Sequence, residues 1–94
     1  MKLAIIIPVY NSEDTIKRAI LSVDSKSDYE IICVNDGSTD NTKRVLTELQ
    51  KEHKNIKVIN QDNQGAARSR NVGLEAMSDD VKGFLFLDAD DEFL

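Results

Sequence analysis

Four short apolar runs recur along the chain, and a polar segment follows each of them. The runs are rich in isoleucine, valine, leucine and phenylalanine and are too short for helices, which is typical of strands buried on both faces. We predict strands at residues 3–9, 29–34, 56–59 and 83–87. The last run reads Gly-Phe-Leu-Phe-Leu, so neither of its faces is expected to meet water.

Between the strands, apolar residues recur every three or four positions, which predicts three amphipathic helices. The apolar positions are Ile16, Ala19, Ile20 and Val23, then Val45, Leu46 and Leu49, then Val72, Leu74 and Met77. Residues that can cap the first two helices are Asn11 or Ser12, and Ser38, Thr39 or Asp40. We expect Glu13 and Asp14 in the first turn of the first helix, which should end near Ser25. The third helix spans residues 66–77, although Gly73 weakens it by about 1 kcal/mol relative to alanine.

The predicted order of elements is βαβαβαβ. Doubly buried strands joined by segments long enough for crossover helices favour a parallel sheet with helices on both faces. At 94 residues the chain has room for one domain with one modest core. We therefore expect a single α/β domain over residues 1–94.

The polar segments after the four strands define where a ligand should bind. In a parallel sheet these segments meet at one edge, and open α/β sheets bind ligands in the crevice outside the carboxyl ends of their strands. The four segments are Tyr10-Asn11, Asn35-Asp36-Gly37-Ser38, Asp62-Asn63-Gln64-Gly65 and Asp88-Ala89-Asp90-Asp91.

The net charge of the chain and the positions of its acidic residues limit the kinds of ligand that it is expected to bind. The net charge of −5 lacks the clustered basic residues that a nucleic-acid interface needs, so we expect no nucleic-acid partner. The acidic residues crowd the C-terminal end, where a divalent cation is more plausible than an anion alone. They are Asp79, Asp80, Asp88, Asp90, Asp91 and Glu92.

The single cysteine and the length of the apolar runs bear on location. Cys33 has apolar neighbours and no partner for a disulfide, so it is expected to be a buried small hydrophobe. No segment approaches the roughly 20 apolar residues of a membrane helix. We expect a cytoplasmic location, with the inner face of the membrane an option for a longer protein.

Asp88 and Asp90 are the candidate metal ligands. In an extended backbone, side chains two positions apart point to the same side, so these two carboxylates can face one cation while Asp91 points elsewhere. Mg²⁺ or Mn²⁺ accepts oxygen ligands and keeps positions for water and substrate phosphates. The alternative is a solvated acidic turn, against which the position directly after a buried strand argues.

Other polar residues near the strand ends leave alternatives open. Asp36 can either cap its own turn or accept hydrogen bonds from a ligand, and Tyr10 can be a core-edge aromatic or a stacking surface for a base. Arg68 and Arg70 lie two positions apart on the third helix, so at most one should reach the crevice.

Four motifs, taken together and in this order, resemble the signature of the family 2 glycosyltransferases. Each motif is weak alone, but their order and their places on a βαβαβαβ scaffold make a specific match over nearly the whole chain. They are Ile5-Ile6-Ile7-Pro8-Val9-Tyr10-Asn11, Val34-Asn35-Asp36-Gly37-Ser38-Thr39-Asp40, Asn63-Gln64-Gly65 through Arg70-Asn71-Val72-Gly73, and Leu87-Asp88-Ala89-Asp90-Asp91.

The resemblance implies the GT-A fold, a Rossmann-like sheet that binds a nucleotide-diphosphate sugar, with a UDP-sugar favoured. It implies that Asp36 hydrogen-bonds the base, that Glu13 and Asp88 lie by the ribose, and that Asp90 coordinates Mn²⁺ or Mg²⁺. The other implied nucleotide-binding residues are Pro8, Val9, Tyr10, Gly65, Arg70, Asn71 and Ala89, and Asp88 is a second candidate metal ligand. Ser69 replaces the alanine that usually precedes Arg70-Asn71 in the motif, which we expect to matter little.

The resemblance also implies inverting transfer of the sugar to an acceptor hydroxyl, in cell-envelope polysaccharide synthesis. Family members place the acceptor site and the general base downstream of the Asp-x-Asp motif, so we expect no catalytic base within these residues. We interpret the chain as the N-terminal donor-binding part of a longer domain, without the acceptor-binding part, and expect it to transfer no sugar alone. Apolar surface left uncovered on the fourth strand is expected to favour a homodimer.

Other classes of α/β protein fit less well. A sugar nucleotidyltransferase should carry a Gly-rich, basic phosphate loop after the first strand, where this chain has Tyr10-Asn11-Ser12-Glu13. A receiver-like signalling module should carry its acidic pair after the first strand rather than the fourth. A pure binding or assembly module is a third alternative.

Overall fold

The computed structural model describes residues 2–24 and 29–90. Its elements alternate between strands and helices as predicted. In chain order they are β1 (Leu3–Val9), α1 (Ile16–Asp24), β2 (Tyr29–Asp36), α2 (Thr42–Glu52), β3 (Ile56–Gln61), α3 (Ala66–Glu75) and β4 (Gly83–Phe86). None of the helices within the described ranges is long and apolar enough to cross a membrane.

The four strands form one parallel sheet in the order β3-β2-β1-β4. Leu3 is in register with Tyr29 of β2 on one side and with Gly83 of β4 on the other, and Ile31 of β2 is in register with Ile56 of β3. All four strands run the same way, so their carboxyl ends lie along one edge of the sheet. The predicted parallel α/β fold is confirmed.

Helices cover both faces of the sheet, and the alternation of side chains along β1 and β2 supplies a separate core to each face. Ile5, Ile7 and Ile31 pack against α1 and α2. Ala4, Ile6, Ile32 and Val34 pack against α3. Each buried isoleucine contributes about 1.5–3 kcal/mol, so the two central strands hold most of the hydrophobic stabilisation. Cys33 is buried as expected, and this burial raises the pKa of its thiol to about 12.

β4 departs from the prediction. Phe84, Leu85 and Phe86 are each 45% exposed, so the expectation that neither face of this strand meets water is wrong within the part of the chain that the structure describes. The physical reason is that β4 lies at the edge of the described sheet, where Phe84, Leu85 and Phe86 belong to neither of the two cores that pack against the described helices. An apolar run reports how hydrophobic a strand is, not how many neighbours it has.

Several element boundaries also differ from the expected ones. β2 and β3 each run two residues further than predicted, so Asp36 and Gln61 are the last residues of strands. α1 begins at Ile16, after a turn in which the backbone N–H groups of Thr15 and Ile16 donate to the carbonyl of Ser12. Glu13 and Asp14 therefore precede the helix, and the predicted helix end at Ser25 lies outside the described residues.

Gly73 lies where α3 crosses closest to the sheet. A Cβ added to this residue would lie 2.4 Å from Cγ2 of Ile6, a fully buried side chain of β1. That methyl group sits on the branched carbon of isoleucine and cannot swing away. Gly73, which the sequence predicts to weaken the helix, therefore allows α3 to pack closely onto β1.

Asp36 fixes the segment that leads into α3. Its carboxylate accepts hydrogen bonds from Nε2 of Gln61 (2.9 Å), the backbone N–H of Gln64 (2.7 Å) and the backbone N–H of Gly65 (2.9 Å). Gly65 has φ +95°, a conformation that glycine adopts readily. Burial of the carboxylate raises its pKa, but these three donors outweigh that effect and leave the pKa of Asp36 below its ordinary value.

We expect Gly73→Ala to lower the free energy of unfolding by about 1–3 kcal/mol, because the added methyl overpacks the contact with Ile6. Helix propensity alone predicts the opposite change, an increase in the free energy of unfolding of about 1 kcal/mol, because it favours alanine over glycine. Urea unfolding measures it. Gly83→Ala is the matched control, since its Cβ would meet only the mobile end of Leu3, at 3.1 Å. A Gly73→Ala variant as stable as the wild type would contradict the close packing.

We expect Asp36→Asn to lower the free energy of unfolding at neutral pH by about 2–3 kcal/mol, because the amide cannot accept from three donors at once. The folded pKa of Asp36 lies below that of the unfolded chain, about 3.9, so its stabilisation is present above that value and is lost as pH falls through the folded pKa. The difference between variant and wild type should therefore shrink below about pH 4.

Urea unfolding across a series of pH values checks this expectation. Asp62→Asn serves as control, because Asp62 is an exposed carboxylate of the same loop. Its effect should be small at every pH. A destabilisation by Asp36→Asn that stays constant down to acid pH would show that the ionised carboxylate is not the stabilising species.

Candidate functional site

Two adjoining cavities lie at the carboxyl ends of the strands and share Pro8, Tyr10 and Asp88. The smaller has a volume of about 150 Å³ and is lined by Pro8, Val9, Tyr10, Asp36, Ala66, Ser69, Arg70 and Asp88. The larger, of about 530 Å³, is lined by Pro8, Tyr10, Asn11, Ser12, Asp14, Thr15, Asp88, Ala89 and Asp90. The segments after β1, β2 and β4 and the start of α3 thus meet around one crevice.

The loop after β1 is bonded to the loop after β2. Asn11 has φ +46°, a left-handed conformation that asparagine tolerates better than most residues. Its side-chain Oδ1 accepts from the backbone N–H of Thr39 (2.7 Å), and its own N–H donates to Oγ of Ser38 (3.0 Å). The backbone N–H of Ser12 donates to Oγ1 of Thr42 (2.8 Å). These bonds place the exposed ring of Tyr10 at the mouth of both cavities.

Asp40 anchors the same pair of loops from the side of α2. Its carboxylate accepts from the hydroxyl and the backbone N–H of Thr42, the latter at 2.9 Å, and more weakly from the backbone N–H of Glu13 at 3.5 Å. Thr42's hydroxyl is the main reason that the pKa of Asp40 is lowered. The N-cap position of α2 is occupied by Asn41, without a side-chain capping bond, so the predicted caps Ser38, Thr39 and Asp40 are wrong, although Asp40 bonds to the first residue of the helix.

One of the two arginines reaches the crevice, as expected. Arg70 lines the smaller cavity, and its guanidinium carbon lies 5.9 Å from the ring centroid of Phe86, within the range of a cation–π contact. Arg68 is exposed on α3 and lines neither cavity. The ring of Phe86 thus holds the cation of Arg70 beside Asp36 and Asp88.

The structure separates the predicted nucleotide-binding residues into two groups. Those that line the crevice are Pro8, Val9, Tyr10, Asp36, Arg70, Asp88 and Ala89. Glu13, Gly65 and Asn71 line neither cavity. Gly65 acts through its backbone N–H, which donates to Asp36, and Ala89 is mostly buried in the core beside α1.

Asp88 and Asp90 are exposed and line the larger cavity together, whereas Asp91 lies outside the described residues. Within residues 2–24 and 29–90, no group of three or more His, Cys, Asp or Glu side chains is arranged to hold a metal ion. Two carboxylates fit a hard cation that completes its shell with water and phosphate oxygens. The donor set therefore fits Mg²⁺ or Mn²⁺ shared with a phosphorylated ligand, rather than a closed protein cage.

Several residues of the site, among them Gln61 and Ser69, were not assigned to it from the sequence. Gln61 ends β3 and donates to Asp36, and Ser69 is fully buried on α3 and lines the smaller cavity. Gln61 was not predicted to lie in β3, because the apolar pattern of that strand stops at Ile59. For Ser69 the signal was present, since a hydroxyl replaces a methyl at that position of the motif.

A third cavity, of about 560 Å³, lies on the other side of Asp36, between the ends of β2 and β3 and the start of α2. Its lining is polar and consists of Asn35, Gly37, Ser38, Lys43, Asn60, Gln61, Asp62 and Gln64. The predicted loop at residues 62–65 contributes to this cavity rather than to the crevice around Asp88.

Comparison with known proteins agrees with this geometry. Residues 4–94 match the family described as Glycosyl transferase family 2. The teichoic acid poly(glycerol phosphate) polymerase of Staphylococcus epidermidis is 43% identical over 95 residues, which cover 97% of this chain and 13% of the polymerase. The chain therefore spans a small part of the length of that relative.

Solved structures share the fold. The crystal structure of S. aureus TarS 1-349 in complex with UDP matches with a TM-score of 0.80 and 31% identity, over 96% of this chain and 28% of that one. A mannosyltransferase from Pyrobaculum calidifontis in complex with GDP-Man and Mn²⁺ matches with a TM-score of 0.83 over 95% of this chain and 27% of that one. The latter is 20% identical and bears on the fold alone.

The fold expected from the resemblance, GT-A, is thus the fold of these neighbours. The family match extends over almost every residue of the chain and agrees with the relative at 43% identity. The chain belongs to glycosyl transferase family 2.

Proposed function

We propose that residues 1–94 form the donor-binding part of an inverting glycosyltransferase that takes a nucleotide-diphosphate sugar, with UDP as the favoured nucleotide. The acceptor is a hydroxyl of a saccharide or glycoconjugate of the cell envelope, which agrees with the teichoic acid relative. The observation that carries the proposal is the crevice in which Asp36, Arg70, Asp88 and Asp90 converge around Pro8 and Tyr10.

The smaller cavity suits the nucleoside. Tyr10 offers an exposed aromatic ring for stacking, and the carboxylate of Asp36 offers a fixed acceptor for an N–H of the base. Asp88 lines both cavities, which supports its proposed contact with the ribose. The base would thus stack on the ring of Tyr10 and donate a hydrogen bond to Asp36, and the ribose would contact Asp88.

The larger cavity suits the diphosphate, and its charge requires a cation. Asp14, Asp88 and Asp90 line this cavity, so a diphosphate would meet carboxylates rather than basic side chains. Within residues 2–24 and 29–90, Arg70, in the smaller cavity, is the one cationic side chain that lines either of the two. Asp90 and Asp88 would hold Mn²⁺ or Mg²⁺, which when bound offsets the negative charge that develops on the departing nucleoside diphosphate. Arg70 can add a charge-assisted contact to the same phosphates.

We also propose that the chain associates with a second copy through β4. Phe84 and Phe86 are half-exposed on one face of β4 and Leu85 is half-exposed on the other, and this edge strand has no second partner strand in the described sheet. Exposed apolar edges of this kind pair readily with other strands.

We expect UDP to bind much more tightly with Mn²⁺ than without it, and Asp90→Ala to weaken the metal-dependent part by about tenfold or more, because it removes a metal ligand. Calorimetric titration of the 94-residue chain with UDP, with and without Mn²⁺, measures both effects. The control is Asp79→Ala, an exposed carboxylate that lines neither cavity and should leave binding unchanged. Binding that does not depend on Mn²⁺, or that survives Asp90→Ala intact, would refute the metal assignment.

We expect the wild type to form dimers at high concentration and Leu85→Lys to be monomeric, because a charge on an edge strand opposes pairing. Light scattering coupled to size exclusion measures the mass. Leu21→Lys is the matched control, since Leu21 is an exposed leucine on α1 and its change should leave the mass unaltered. A wild-type monomer at every concentration would contradict association through β4.

A further inference from the structure

Four hydrogen bonds form a closed ring that joins the end of β2, the end of β3 and the start of α3. Nε2 of Gln61 donates to Oδ1 of Asp36 (2.9 Å) and to Oγ of Ser69 (3.2 Å). Ser69 donates its hydroxyl to the carbonyl of Gly65 (2.9 Å), and the N–H of Gly65 donates to Oδ2 of Asp36 (2.9 Å). Each donor group in the ring thus faces an acceptor group.

The direction of each bond in the ring is determined by chemistry. An ionised carboxylate only accepts, so the nitrogen of the Gln61 amide must face Asp36, and a flipped amide would set two oxygens against each other. Ser69 uses its one hydrogen for the carbonyl of Gly65, one helical turn back, which leaves its oxygen free to accept from Gln61. Replacing either side chain with an apolar one breaks this sequence of donors.

The ring leaves Asp36 with one unused acceptor position. A carboxylate offers about four lone-pair positions, and Gln61, Gln64 and Gly65 occupy three of them. Asp36 also lines the smaller cavity, beside Pro8 and Arg70. The remaining position is therefore available to a ligand in that cavity.

We propose that Gln61 and Ser69 are positioning residues that hold the Asp36 carboxylate with one acceptor position toward the cavity, and so favour a base whose edge donates a ring N–H. This inference rests on the proposed function, in which the cavity holds the base. Uracil presents an N–H at N3, whereas cytosine presents a lone pair there, which a fixed carboxylate repels. Ser69 does not contact Asp36 directly and acts on it through its two neighbours in the ring, Gln61 and Gly65.

The buried position of Ser69 supports this role. Its side chain is fully buried, and a buried hydroxyl without partners costs about 1–3 kcal/mol. Both of its bonds are needed to offset that cost, and one of them goes to the residue that orients Asp36. The three donors to Asp36 also keep its pKa low, so that it stays an acceptor at neutral pH.

The test combines Gln61→Leu, Ser69→Ala and the double variant with two measurements. The first is the pKa of the Asp36 carboxyl, followed by carbon NMR during a pH titration without nucleotide. The second is the affinity for UDP and for CDP in the presence of Mn²⁺. Ser69→Ala restores the residue usual in the motif and guards against a Gln61→Leu variant that does not fold. Ser78→Ala is the control, since Ser78 donates its hydroxyl to Glu30 (2.7 Å), a residue at the other end of β2.

We expect Gln61→Leu to raise the pKa of Asp36 and to weaken the binding of UDP by about tenfold, which corresponds to the loss of one hydrogen bond to a charged group. The binding of CDP should weaken less. Ser69→Ala should shift both quantities the same way by a smaller factor. The double variant should lose less than the two single changes added together, because Gln61 and Ser69 contact each other and support the same carboxylate. Ser78→Ala should change neither the pKa of Asp36 nor the preference for UDP.

Equal losses of UDP and CDP, or effects of the two single changes that simply add, would overturn the positioning role. So would an unchanged pKa of Asp36 in Gln61→Leu. Failure of the proposed function has a different signature, since the wild type would then bind neither nucleotide. The carboxyl titration would still decide whether Gln61 and Ser69 hold Asp36.

Discussion

Burial of β1 and β2 on both faces is the constraint on which the rest of the structure depends. Their side chains alternate between two cores, so these strands have no wet face on which a site could be built. Polar side chains that remain in the strands are all partnered, as where Nδ2 of Asn35 donates to Oδ1 of Asn60 at 2.9 Å. Among the described residues, no buried side-chain nitrogen or oxygen lacks a hydrogen bond. Ligand chemistry is thereby confined to the carboxyl ends of the strands.

Asp36 connects that scaffold to the site. It is the last residue of β2, and the loop before α3 is bonded to its carboxylate. Because α3 carries Arg70, the group that orients this helix also determines where the cation of the crevice lies. The close crossing at Gly73 fixes the same helix against β1 further along. Folding and ligand binding therefore share one set of contacts, and a change at Asp36 affects both.

Much of the fold could be predicted from the sequence, because apolar period and turn residues report local structure. All seven elements follow from those patterns, and so does the meeting of the segments after β1 and β4, whereas the predicted loop at residues 62–65 lines a different cavity. The lateral order of the strands does not, since an apolar run carries no information about its neighbours. The apolar pattern therefore predicted a buried fourth strand, although uncovered apolar surface on it was expected from the resemblance. Family membership excludes the receiver-like and nucleotidyltransferase alternatives, which the position of the acidic pair had already disfavoured.

The site was predictable where a residue acts by its own chemistry and not where it acts through another. Asp88 and Asp90 stand out because they are carboxylates two positions apart at a strand end, and both line the larger cavity, although their role as metal ligands stays a prediction. Gln61 and Ser69 do not, because an amide at a strand end and a small residue in a helix fit many structures equally well. Their significance depends on a distance between β3 and α3 that only the fold supplies. A hydroxyl in place of a methyl is costly at a fully buried position unless partners are present, and the structure supplies two for Ser69, the carbonyl of Gly65 and the amide of Gln61. A departure from a family motif is therefore most informative where burial makes the new atom expensive to leave unpaired.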